Sequence, residues 1–76
     1  MKSLIIKINK LSDLYEFSKR AALIEGDVLL SRGKYTVDAK SLMGIFTINL
    51  SEPTLLQFPE DAEDFYTYAE TFNFCN

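Results

Sequence analysis

Two apolar stripes of identical spacing restrict what this chain can fold into. Leu14, Phe17, Ala21 and Ile24 recur at intervals of 3, 4 and 3, and Ala62, Phe65, Ala69 and Phe72 repeat the pattern further along. Each series marks one side of an amphipathic helix, and a helix with a single apolar side must lay that side on another element. The segments between provide one. Leu4, Ile6 and Ile8 alternate with Ser3, Ile5, Lys7 and Asn9, the two-residue period of a strand. Asp27-Val28-Leu29-Leu30-Ser31, Tyr35-Thr36-Val37-Asp38 and Thr54-Leu55-Leu56-Gln57-Phe58 read as three more strands. Arg32-Gly33-Lys34 is long enough only for a hairpin turn, where glycine supplies the backbone angle.

The breaks between segments have their own signals. Ser12-Asp13 predicts the N-cap of the first helix and a favourable charge at its start, and Gly26 predicts its end. Ser41 is placed to cap a short helix running to about Thr47, which Gly44 weakens internally. Ser51-Glu52-Pro53 reads as a turn, and Pro59 through Asp61 breaks the last strand and starts the final helix. The order is β-α-β-β-α-β-α. Two full helices with one apolar stripe each then cover one face of a four-stranded antiparallel sheet, and the other face is left to water. The fold class expected is α+β, an open-faced sandwich, in a single domain over residues 1–76.

A chain of 76 residues buries only roughly 60% of its unfolded surface, so the core is small. A net charge of -3 argues against nucleic acid and against an anionic membrane as partners. Cys75, the one cysteine, makes no internal disulfide and fits a reducing, cytoplasmic setting; its place in the chain suggests a frayed tail rather than a nucleophile. The apolar run Leu4-Ile5-Ile6 stops at Lys7 without a cleavage signal, and no segment reaches the 18 or so apolar residues of a membrane span.

The segment Val37-Asp38-Ala39-Lys40-Ser41-Leu42-Met43-Gly44-Ile45 closely resembles the regulatory-serine segment of HPr, the phosphocarrier family of the bacterial sugar phosphotransferase system. From Leu4 to about Phe72 the order of elements also matches that family, and the resemblance implies its HPr-like open-faced β-sandwich. HPr proteins carry a phosphoryl group on a histidine at the start of the first helix. This sequence has no histidine. The position falls at or near Lys10, and the family's neighbouring arginine and proline fall near Ser12 and Asp13. A protonated lysine has no lone pair with which to attack phosphorus. Loss of the arginine removes a bidentate phosphate ligand, and the Asp13 carboxylate repels an incoming anion. The expectation is therefore neither a histidine phosphocarrier nor an enzyme.

No other catalytic set takes its place. Metal sites commonly need histidine or several thiolates, so no metal and no cofactor are expected. Glu60, Asp61, Glu63 and Asp64 lack the spacing and glycine of a calcium loop and suit the start of the last helix instead. Ser41 has no general base behind it in the sequence. It is a helix cap worth roughly 1 kcal/mol, or a cap that also acts as a switch. The resemblance implies the second use: a dedicated kinase phosphorylates the matching serine, and the modified domain docks on a transcriptional regulator. Catabolite-repression HPr proteins keep that serine without the histidine. Lys40, Leu42, Met43 and Phe46 are the candidate partner-binding residues around Ser41, although Met43 serves equally well as core filler. A constitutive scaffold domain is the alternative, with Tyr15, Tyr35, Tyr66, Tyr68 and Phe74 as interface aromatics or as the rim of the core. A phosphocarrier using another nucleophile is a remote third. The exposed sheet edge permits a weak dimer but does not require one.

Overall fold

Every strand in the sheet runs antiparallel to its neighbours, and chain order is not spatial order. In the computed structural model, which describes residues 1–73, the elements are β1 (Lys2–Ile6), α1 (Leu11–Ala22), β2 (Leu29–Arg32), β3 (Tyr35–Asp38), α2 (Leu42–Phe46), β4 (Thr54–Phe58) and α3 (Glu63–Ala69), followed by a 3₁₀ turn at Glu70–Phe72. The sheet order is β1-β4-β2-β3, with all pairs antiparallel. The last long strand therefore inserts between β1 and β2. Phe74 and Cys75 lie outside the described residues.

The register explains why one face is buried. Leu4, Leu56, Leu30 and Val37 stand opposite one another across all four strands. Leu30 and Leu56, on the inner strands, are fully buried, whereas Leu4 and Val37, on the edges, are partly covered. Against this row lie Phe17 and Ala21 of α1 and Phe65 and Ala69 of α3, all buried. The Phe17 ring sits 5.5 Å from that of Phe65 and 6.3 Å from those of Tyr68 and Phe72. Phe65 in turn meets Phe58 of β4 at 5.5 Å, edge to face. One aromatic cluster thus ties both helices to the sheet. The opposite face carries the rows Ser3–Gln57–Leu29–Asp38 and Ile5–Leu55–Ser31–Thr36, in which no side chain is fully buried. That is the open-faced α+β sandwich the two stripes require.

The element ends differ from the expectation. α1 begins at Leu11, with Lys10 as its N-cap and no side-chain cap bond. Lys10 has the extended backbone of a cap, and its carbonyl accepts the N–H groups of Asp13 and Leu14, each at 3.1 Å. Ser12 and Asp13 are instead inside the first turn, where Asp13 acts through the helix dipole rather than as a cap. The helix also stops at Ala22, short of Gly26, so Ile24 packs on the core from outside it. Gly26 is still required: its φ of +97° turns the chain toward β2. β1 ends before Ile8, which is buried nonetheless and donates its N–H to the Leu50 carbonyl at 2.7 Å. β2 starts at Leu29, with the buried Val28 just ahead of it. Gly33 has φ +61° and Lys34 has no positive φ, the pattern of a type II′ hairpin turn.

Tyr68 contains a defect. Among the described residues, its hydroxyl is a buried side-chain polar atom without a hydrogen-bond partner, while the Arg20 guanidinium lies 4.3 Å from its ring centroid. Burial pushes the phenol above its ordinary pKa of 10.0; the Glu16 carboxylate pushes the same way, with Arg20 opposing and Asp13 adding a smaller push. A raised folded-state value favours the neutral phenol, so the associated stability is intact below the ordinary pKa and is lost as pH rises through the folded one. Tyr68→Phe is expected to be about 1 kcal/mol more stable at neutral pH, since it removes an unmet polar group and breaks no bond. Its stability is also expected to fall less than the wild type's above about pH 10. Urea denaturation at neutral and alkaline pH checks both, and a less stable variant would show that the hydroxyl has a partner.

Candidate functional site

The corner between β3 and α2 is held by local bonds that its sequence dictates. The Lys40 N–H donates to the Asp38 carboxylate at 2.9 Å, and the Ser41 N–H donates to the Asp38 carbonyl at 3.1 Å. Ser41 is extended, and its hydroxyl accepts the Gly44 N–H at 3.2 Å, so it is the N-cap expected. Its carbonyl takes the Ile45 N–H at 3.0 Å. Gly44 has a second role besides weakening the helix: a Cβ at that position would lie 3.2 Å from the Asp38 carbonyl oxygen. The missing side chain lets α2 approach the end of β3 closely.

Only Ile45 is fully buried on this five-residue helix. Lys40 and Leu42 are half-buried, Ser41 is exposed, and Met43 and Phe46 are 81% and 50% exposed. Met43 is therefore not core filler. Phe46 meets the ring of Tyr15, on α1, edge-on at 6.0 Å. Leu11, one turn before Tyr15, is 57% exposed. Leu11 and Tyr15 on α1 and Met43 and Phe46 on α2 are thus exposed apolar side chains on the two helices that meet at the Tyr15–Phe46 contact, with Ser41 at the start of the second. Lys10, exposed at the N-cap of α1, adjoins Leu11.

The sequence points to Phe46 and Met43 around Ser41 but not to Leu11, and it groups Tyr15 with the other aromatics rather than with this corner. Their signal is an apolar pair four residues apart that lies off the Leu14-Phe17-Ala21 stripe. Of the other aromatics, Tyr35 is 75% exposed at the β2–β3 hairpin, whereas Tyr66 and Tyr68 pack at the rim of the core. Among the described residues there is no group of three or more metal-ligating side chains, and no helix is long and apolar enough to cross a membrane.

The fold and this corner define an HPr-like α+β open-faced sandwich. The chain is similar to the crystal structure of a phosphocarrier protein HPr from Bacillus anthracis str. Ames, with a TM-score of 0.68 and 23% sequence identity over 95% of this chain and 94% of that one. At that identity the likeness carries the fold. No protein-family model and no curated protein matches the chain.

Proposed function

We propose that this chain is a phosphocarrier-related docking protein, not an enzyme, that binds a protein partner through the α1–α2 surface and is switched by phosphorylation of Ser41. The observation that supports this reading is the exposure of Met43 and Phe46 around a solvent-facing capping hydroxyl. A phosphoserine there adds about -1.5 to -2 charge beside Lys40 and three acceptor oxygens for a partner's arginine. The apolar surface supplies affinity and the phosphate supplies the switch. Lys10 and the absence of histidine from the sequence make phosphoryl transfer from the sugar phosphotransferase system an unsuitable role. The same surface, exposed without any modification, favours constitutive docking as the second reading.

Incubation with purified HPr kinase and ATP is expected to add the mass of one phosphate to the wild type and none to Ser41→Ala. A wild type that gains no mass leaves Ser41 a cap alone. Ser41→Ala is also expected to lose about 1 kcal/mol of stability through the missing cap bond, checked by urea denaturation. A partner captured equally by Ser41→Ala and Ser41→Asp would establish the constitutive reading.

A further inference from the structure

The sheet order leaves β3 with an edge that no other strand covers, and the hairpin fixes which of its backbone groups face outward. A two-residue turn makes Arg32 and Tyr35 a hydrogen-bonded pair. At the other end, the Ala39 N–H donates to the Val28 carbonyl at 2.8 Å. Tyr35, Val37 and Ala39 therefore direct their backbone groups toward β2, and the alternation turns those of Thr36 and Asp38 away from it. The Asp38 carbonyl is taken by the Ser41 N–H. What faces out is the Thr36 N–H, the Thr36 carbonyl and the Asp38 N–H.

We propose that this edge pairs with β3 of a second copy of the chain, antiparallel about a two-fold axis through Thr36. In that register the two Thr36 residues exchange both backbone bonds, Tyr35 of each copy faces Val37 of the other, and Lys34 of each faces Asp38 of the other. The charges select it over the registers shifted toward the C-terminal end of β3. A two-fold at Val37 sets Lys34 against Lys40, and one at Asp38 sets the two Asp38 carboxylates against each other. Directly opposed like charges destabilise a strand pair, whereas opposed unlike charges stabilise it. Tyr35, 75% exposed in the single chain, gains an apolar neighbour. A strand of four residues gives less contact than a stable interface of about 1,200 Å² needs, so the dimer is weak and forms at high protein concentration.

Sedimentation equilibrium from micromolar to millimolar protein tests this. The wild-type average mass is expected to rise toward twice the chain mass, with the Thr36 amide exchanging more slowly as concentration rises. Thr36→Pro removes an outward N–H that β2 does not use, and Lys34→Glu opposes two carboxylates across the axis. Both variants are expected to stay monomeric over the same range, with far-ultraviolet circular dichroism confirming the fold. A wild type monomeric at the highest concentration overturns the proposal. So does a dimer that persists in Lys34→Glu, or one in which Thr36 exchange ignores concentration.

Discussion

Phe17→Ala is expected to cost about 3–5 kcal/mol, the range for removing a fully buried aromatic side chain. Phe17 is completely inaccessible and is the α1 ring that meets Phe65, Tyr68 and Phe72. Truncation opens a cavity where α1, α3 and the sheet converge, and the small alanines at positions 21 and 69 have no bulk to move into it. At about 0.05–0.15 kcal/mol per residue, a chain of this length has roughly 4–11 kcal/mol of stability in total. Phe17→Ala therefore removes about a quarter or more of the total stability, whereas Phe17→Leu is expected to lose much less. Urea denaturation followed by circular dichroism measures both, and a loss below about 1.5 kcal/mol for the alanine variant would show that the cluster does not hold the helices to the sheet.

Gly26→Val is the second large effect expected, a loss of about 2–3 kcal/mol. Two causes act together. The φ of +97° is a conformation that L side chains rarely adopt, and a Cβ there would sit 3.2 Å from the Pro59 ring. Gly33 separates them, because it has φ +61° with nothing within 4 Å of its would-be Cβ. Gly33→Ala is expected to cost about 1–2 kcal/mol from the backbone alone. Thermal denaturation of the two variants compares them. Equal losses would mean that the Pro59 contact gives way freely and only the backbone angle matters.

The architecture was legible because its signals are periodic and local. The stripes through Phe17 and Phe65, the alternation through Leu30 and Leu56, and the three-residue reach of the Ser41 cap each need only a few neighbouring residues to be read. Helix ends were less legible. Ser12 and Gly26 are the residue types that favour caps, yet α1 starts at Leu11, with Lys10 as its N-cap, and stops at Ala22. The bond from the buried Ile8 to Leu50 fixes where the chain leaves β1, and that is a contact over a long sequence distance. The surface was legible only in part for a related reason. Which side of a five-residue helix faces water depends on how it meets α1, and the Tyr15–Phe46 pair that joins the two helices leaves no trace in either local pattern.

α2 is fastened lightly. One buried side chain, Ile45, holds it from beneath, a strand-end peptide at Asp38 holds it from the side, and the half-exposed Phe46 ring leans on Tyr15 of α1. Such an element sits at the low end of a protein's range of local opening free energies. On those physical grounds its opening costs less than breaking the aromatic cluster, so this ledge changes shape without drawing on the stability of the whole domain.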